Sequence, residues 1–413
     1  MLFDARSPES HPQRAAIDDH YRCDETRLVR TLLDELADCD QDHARAQHTA
    51  RGFVQSVRER SKGGLDAFLH EYGLSTHEGV MLMCIAEALL RIPDDETQEA
   101  LIRDKISAAN WDRHLGHSDS VFVNASTWAL MLTGRVVGMH ALRGQNPGGV
   151  LRRLVARVGE PVIREAVIQA MRIMGRQFVM GRSIEEGLER AAAVEAKGYR
   201  YSYDMLGEAA RTLQDSDRFF EAYKHAIATI GAHASGRGVV EGAGISVKLS
   251  ALHPRYELWQ KRRVMDELVP RMQALAASAA QFDIGLNIDA EEAARLDISL
   301  DVIEAVSAVD EHRDWQGLGV VVQAYQKRAP FVIDWLVELA HRHRRRLMVR
   351  LVKGAYWDTE VKLAQELALD GYPVFTRKVN TDVCYLACAR KLLAARDVLY
   401  PQFATHNAHT IAS

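Results

Sequence analysis

The stretch Leu347-Met-Val-Arg-Leu-Val-Lys-Gly-Ala-Tyr-Trp-Asp358 decides how the second half of the chain is read. It opens as an apolar, β-branched run, the pattern of a strand buried on both faces. It breaks at Gly354 into Ala355, Tyr356 and Trp357. Two cations, Arg350 and Lys353, lie inside the run. An unpaired charge in a protein interior is very costly, so a guanidinium in a buried strand needs a partner. The end of this strand is therefore expected to face a polar or anionic ligand, with two aromatic side chains beside it.

Outward from there, short apolar runs alternate with helical patterns from about residue 175. The expected strands are Gln177–Met180, Tyr201–Met205, Ile245–Ser250, Ile284–Asp289, Gly319–Ala324, Leu347–Lys353 and Gln402–His406. One intervening helix, Ile184–Lys197, opens with the Ser183-x-x-Glu186 box and stops at Gly198. Another, Phe331–His343, has Pro330 in its first turn and apolar residues at Val332, Trp335, Leu336 and Leu339. Strands alternating with helices imply parallel β-α-β units, here an α/β barrel rather than an open doubly wound sheet. Seven strands leave the barrel one short of the usual eight.

In such barrels chemistry sits where the strands end. The ends here are Tyr203 with Asp204, Lys248, Asp289, Gln323 with Tyr325, Arg350 with Lys353, and Thr405-His406-Asn407. Six strands thus finish in polar or ionisable residues while their middles are apolar. Each end also has a plainer reading. Asp289 with Glu292 makes a helix cap. Lys248 snorkels to water. Gln323 and Asn407 bond their own loops, and Tyr356 and Trp357 fill core. Cys384 and Cys388, one helical turn apart, read as packing, since no ligand set lies nearby. The His406-x-x-His409 and His341-x-His343 pairs are weak metal candidates for the same reason, so no metal is expected. The basic run Arg342–Arg346 reads as a solvated helix end. Gly236, Gly238 and Gly242 do not fit a dinucleotide-binding fingerprint.

The first half reads differently. Residues 1–45 form an extended arm followed by one amphipathic helix through Leu28, Val29, Leu32, Leu33 and Leu36. Residues 46–110 read as a helical domain, with a capping box at Ser75-x-x-Glu78 and a stop at Pro93. Residues 111–174 read as a glycine-rich connection and a helix around Ile163–Ile173, leading into the barrel at 175–413. The run Val80–Leu90 is short and holds Glu87, so it reads as a core helix, not a membrane span. The chain of 413 residues is 47% hydrophobic with net charge −4, which argues against a broad nucleic-acid-binding field. Five cysteines without a CxxC pair suit a reducing compartment. No apolar leader opens the sequence, so no secretory signal is expected.

Five motifs together resemble the proline dehydrogenase domain of proline utilization A. They are Ile245-Ser-Val-Lys-Leu-Ser-Ala-Leu-His-Pro-Arg-Tyr256, Leu286-Asn-Ile-Asp-Ala-Glu-Glu292, Val322-Gln-Ala-Tyr-Gln-Lys-Arg328, the opening stretch and Phe403-Ala-Thr-His-Asn407. The resemblance implies a distorted (β/α) barrel that binds FAD. It implies oxidation of L-proline to 1-pyrroline-5-carboxylate, with electrons passed on to a membrane quinone, in proline catabolism to glutamate. Lys248 would hold the proline carboxylate, with Asp289 beside flavin and substrate. Arg350 would face the flavin and Gln323 would bond its ring. Tyr356 and Leu351 would shape the substrate pocket, and Glu208 would be half of an ion-pair gate. Val352, Lys353, Gly354, Ala355, Trp357, Thr376, Arg377, Lys378, Thr381, Thr405, His406 and Asn407 would line the cofactor, Trp357 on its adenine.

The resemblance also implies a cytoplasmic protein with peripheral contact at the inner face of the membrane, and it is compatible with a homodimer. Relative to the family pattern the chain is expected to be truncated before the last barrel strand and helix, where two arginines bind the carboxylate. Low activity of the chain alone would follow. The aldehyde dehydrogenase half of the bifunctional parent is not expected within these 413 residues. No ribbon-helix-helix segment is seen, so no DNA binding is expected. Two rival readings are a Schiff-base aldolase with Lys248 as nucleophile and Asp289 as its acid-base partner, and a non-catalytic binding or assembly module.

Overall fold

The structure is a computed structural model that describes residues 12–37, 42–60 and 179–413. The helices expected from Ser75 to Ile106, the segment Trp111–Pro147 and the helix around Ile163–Ile173 lie outside the described residues. Two compact units are distinguished, Met1–Gly52 with Ala192–Ser413, and Phe53–Ala191.

Described helices of the N-terminal part are α1 (Pro12–Asp19), α2 (Glu25–Leu36) and α3 (His43–Arg60). The arm therefore carries two helices before residue 37, where the sequence suggested one. The first has a single buried apolar anchor, Ile17, in PQRAAIDD, too few to show a period. Helix α4 (Ile184–Glu195) starts as its capping pattern suggested, with the Glu186 amide donating to Ser183 Oγ at 3.3 Å. It ends before Gly198, whose φ of +96° suits only glycine without strain.

The larger unit is organised by a parallel sheet with strands in consecutive order, β1 (Ser202–Asp204), β2 (Gly244–Val247), β3 (Gly285–Ile288), β4 (Leu318–Gln323), β5 (Leu347–Val352) and β6 (Leu399–Phe403). Between them run α5 (Leu213–Ala234), α6 (Lys261–Gln281), α7 (Leu296–Ser307), α8 (Ala329–His343), α9 (Trp357–Glu366) and α10 (Lys378–Ala394). Six strands stand among the described residues rather than seven. Of the first expected strand, Gln177–Met180, residues 179 and 180 are described and are not strand. The last strand begins earlier than expected and includes Pro401, paired with Val349. Proline lacks a ladder donor, which an end position in the sheet tolerates.

The sheet is strongly curled. In a flat sheet β5 would lie roughly 14 Å from β2 and 19 Å from β1, at about 4.8 Å per strand. Yet Arg350 of β5 donates to Ser246 Oγ of β2 at 2.9 Å and to Ser202 Oγ of β1 at 2.8 Å. One side chain spans both only if the strands bend round toward each other as a barrel wall. The apolar layer lies outside this wall. Ile245, Val247, Leu286, Val349 and Leu351 are fully buried, as are Trp335 and Leu336 of α8.

Helices α1 and α2 lie along α8 and α10 as a strap. Leu28 and Leu32 are buried, while Leu33 is exposed. Arg14 donates to Asp301 at 3.0 Å and sits 5.6 Å over the Trp335 ring. Lys327 reaches the Cys23 carbonyl at 2.8 Å. Arg328 is 1% exposed, pairs with Asp297 at 3.1 Å, donates to the Ala293 carbonyl and stacks 4.2 Å over Tyr21. The basic run 342–346 is only partly a solvated end. Arg342 pairs with Glu304 and Glu338, but Arg345 is buried and donates to the His312 carbonyl at 2.6 Å.

Candidate active site

A cavity of about 660 Å³ opens at the C-terminal ends of the strands. Strand β1 contributes Asp204, β2 leads into Lys248, and β3 into Asp289 and Ala290. Val321 and Gln323 come from β4, Arg350 and Val352 from β5, and Lys353, Gly354, Ala355 and Tyr356 from the loop that follows. Lys378 of α10 and Ala404, Thr405, His406 and Asn407 after β6 complete the wall. Most of the expected strand ends line this cavity. Tyr203 and Tyr325 are exceptions. Tyr203 is buried outside the cavity, and the Tyr325 ring packs under Gly354.

The charged centre is compact. Lys248 Nζ lies 2.8 Å from Asp204, 3.6 Å from Asp289 and 3.8 Å from Glu208. Arg350 lies 3.7 Å from Asp289 on its other side. Asp289 is thus set between two cations and does not cap a helix. The following 3-10 turn starts after Glu292 instead. Burial raises the Asp289 carboxyl above its ordinary value, against the pull of Lys248 and Arg350. Burial alone would lower the Lys248 ammonium. The hydrogen bond and charge of Asp204, with the charge of Asp289, outweigh it and raise the pKa. A Schiff-base nucleophile needs the opposite shift, because only the free amine attacks. The aldolase reading therefore loses its support.

The second cluster is cationic. Lys353 and Lys378 converge on Asp382, at 2.5 and 2.8 Å. Their hydrogen bonds outweigh burial and hold its carboxyl below the usual range. Gly354 has φ +132°, and a Cβ there would meet the Tyr325 ring at 2.5 Å, so the turn after β5 requires glycine. Gln323 lines the cavity, but its amide nitrogen donates to the Ala290 and Glu291 carbonyls and its oxygen accepts from Gln326. Asn407 caps the short helix Ala408–Ala412, accepting from the amides of His409 and Thr410. For these two residues the loop-bonding reading describes the contacts that are made.

Some expected site residues stand apart. Leu351 is fully buried and does not line the cavity, because alternation along β5 turns it away from the face of Arg350 and Val352. Trp357 begins α9 and donates to the Phe375 carbonyl at 2.8 Å. Thr376 and Arg377 are exposed and Thr381 is buried in α10, none of them against the cavity. Glu208 stands at the rim, half exposed. Asp204 is expected at a strand end but given no role, and Ser202, Ser246 and Asp382 are not among the expected site residues at all. Asp204 ends β1 as Asp289 ends β3, and Asp382 stands four residues after Lys378 on one helix, so both carried a readable signal. Cys384 and Cys388 are buried with sulfurs 3.9 Å apart. Among the described residues no group of three or more His, Cys, Asp or Glu could hold a metal, and no helix is long and apolar enough to cross a membrane.

A cavity of this size falls in the range of about 300–1,000 Å³ typical of cofactor sites. Arg350, Lys248, Lys353 and Lys378 along it suit a ligand with anionic groups. Fold and cavity together define a barrel-type α/β protein with a candidate small-molecule site at its strand ends.

Comparison with known proteins specifies the family. The family profile described as "Proline dehydrogenase" matches residues 187–413. The chain belongs to the proline dehydrogenase family. Residues 11–58 match the family "Proline utilization A proline dehydrogenase N-terminal domain". Residues 64–178 match the "DNA-binding domain of Proline dehydrogenase". This last match corrects the expectation of no DNA binding, which rested on the near-neutral net charge and on the lack of a ribbon-helix-helix pattern. The "Bifunctional protein PutA" of Salmonella typhimurium is 54% identical over 405 residues, 97% of this chain and 30% of that protein. The "Proline dehydrogenase 1" of Bacillus subtilis is 26% identical over 242 residues, 58% of this chain and 68% of that protein. A crystal structure of Bradyrhizobium japonicum Proline Utilization A, mutant D779Y, superposes with a TM-score of 0.70 at 46% identity. It covers 99% of this chain and 40% of that one. The chain thus spans about a third of the length of the bifunctional relatives it matches. The likeness bears out the barrel-type α/β reading.

Proposed function

We propose that the chain oxidises L-proline to 1-pyrroline-5-carboxylate with FAD held in the strand-end cavity. The observation that carries this reading is the convergence of Lys248, Asp289 and Arg350 from three strands on one cavity of cofactor size. FAD, when bound, supplies the hydride acceptor; the protein supplies position, exclusion of water and electrostatics. Arg350 is fixed by Ser202, Ser246 and Asp289, so its charge is preorganised toward the cavity rather than free to swing. Lys248 remains protonated at neutral pH and stands ready for a carboxylate. Its present partner Asp204 is half exposed and can return to water when substrate takes the ammonium. Tyr356 lines the cavity, and Glu208 at the rim could close over bound substrate. Lys353 and Lys378 would face the anionic part of the cofactor.

In this reading the parent protein also carries L-glutamate γ-semialdehyde dehydrogenase activity. It passes electrons to a membrane quinone, works in the cytoplasm with peripheral contact to the membrane, and forms a homodimer. The names of the relatives support a bifunctional parent, and the division of the chain near residues 45, 110 and 174 belongs to the same reading. The test is optical. Purified protein incubated with FAD should show bound-flavin absorbance, which anaerobic L-proline bleaches in a saturable titration. Protein that takes up no flavin would overturn the reading and favour a binding or assembly module.

A further inference from the structure

We infer that Glu25, on the N-terminal strap, is a positioning residue for the cofactor wall of the cavity. The inference rests on the reading of the cavity as a flavin site. Glu25 is the first residue of α2, where Asp24 already caps the helix by accepting from the Arg27 amide at 2.7 Å. Its carboxylate is directed instead at the turn leading into α10. It accepts from the Thr376 amide at 3.1 and 3.0 Å, from Thr376 Oγ1 at 3.0 Å and from Asn380 Nδ2 at 2.5 Å. Hydrogen bonds to an ionised acceptor are the strong kind. The carboxylate also sits at the N-terminal ends of both α2 and α10, where helix dipoles favour negative charge.

What this turn holds matters for the cavity. On one side of it Phe375 is fully buried, its amide donating to Tyr325 and its carbonyl accepting from Trp357. On the other side comes Lys378, which lines the cavity and shares Asp382 with Lys353. Thr376 itself is exposed and does not face the cavity. Its amide and hydroxyl are engaged by the strap, a contact 351 residues apart in sequence. Glu25 therefore fixes where α10 begins, and with it where the two lysines meet their shared carboxylate. Because the Thr376 donors are exposed, losing Glu25 returns them to water at small cost in stability. The loss falls on geometry.

The experiment compares Glu25→Ala, Glu25→Gln and, as a control at the other end of the strap, Arg14→Ala. Arg14 contacts Asp301 and Trp335, away from the cavity. Two readouts are taken on each protein: FAD affinity by flavin fluorescence, and amide hydrogen exchange of residues 375–381 without cofactor. Glu25→Ala should weaken FAD binding about tenfold, or ~1.4 kcal/mol, and speed exchange at Thr376. Glu25→Gln, which keeps an acceptor for the Thr376 amide, should fall between. Arg14→Ala should lower the melting temperature while leaving both readouts at wild-type values. FAD affinity within twofold of wild type in Glu25→Ala, or tighter, would overturn the inference, as would an equal loss in Arg14→Ala. A wild-type protein that takes up no FAD overturns the functional reading instead, while the exchange data still decide whether Glu25 pins the turn.

Discussion

Replacing Lys248 by methionine tests the substrate side of the site directly. Methionine keeps most of the stem and removes only the ammonium. The charge-assisted contact it would make to a carboxylate is worth ~1.5–3 kcal/mol. Not all of that is lost, because the lysine begins bonded to Asp204 at 2.8 Å. That carboxylate is half exposed, so the contact given up is worth only ~0.2–1 kcal/mol. The net loss is then about 0.5–2.8 kcal/mol, or roughly a 2- to 100-fold weaker grip on proline. Asp289 keeps Arg350 at 3.7 Å, so the site retains a cation and should hold its shape. The assay is anaerobic flavin reduction against proline concentration, with pyrrolidine, which lacks the carboxylate, as a competitor. Lys248→Met should weaken proline and leave pyrrolidine nearly unchanged. Asp204→Asn should act in the opposite sense and tighten proline by up to about fivefold, since it frees the ammonium. Equal losses for proline and pyrrolidine, or no loss for either, would refute the assignment of Lys248 to the carboxylate.

Other outcomes follow from single positions. Gly354→Ala forces a side chain into φ +132° and against Tyr325; strain of ~1–3 kcal/mol should lower the melting temperature by roughly 2–10 °C and weaken flavin uptake. Arg328→Met leaves Asp297 without its buried partner; since Asp297 is partly exposed, the cost should lie near the lower end, ~3 kcal/mol, read as an earlier midpoint in urea unfolding. Burial raises the Glu360 carboxyl above 4.5, so its ionisation costs stability as pH rises through that value and up to the folded one. Glu360→Gln keeps the acceptor for the Ala293 amide. It should therefore melt higher than wild type at about pH 8, with the difference closing as pH falls toward about 4; a gap that widens in acid would refute this.

Much of the barrel was legible because its signals are local. β2, β3, β4 and β5 lie where apolar runs end in polar or ionisable residues, and a short apolar run can be read without knowledge of its partners. Arg350 reads as a candidate site residue because a buried charge without a partner is untenable, and Asp289 because it follows an apolar run. What escaped depends on contacts distant in sequence. Nothing near Glu25 points to Thr376. Nothing near Ser202 announces a guanidinium from β5. Helix α1 has one apolar anchor and gains its burial from α8. Leu351 was placed in the pocket by resemblance, although the strand's own alternation turns it outward. Arg345 was read as solvated because a basic run looks like a helix face, and its partner is a carbonyl on a separate turn.

The strap sets a condition on biosynthesis. Its helices are made early, yet the turn that Glu25 grips lies 351 residues later. At about 5–20 residues per second a ribosome needs on the order of 20–70 s to cover that distance. For most of that interval Ile17, Leu28 and Leu32 lack the α8 and α10 surfaces on which they come to rest. The nascent chain must keep this greasy stripe shielded, by a chaperone or by transient self-association, until the docking helices emerge.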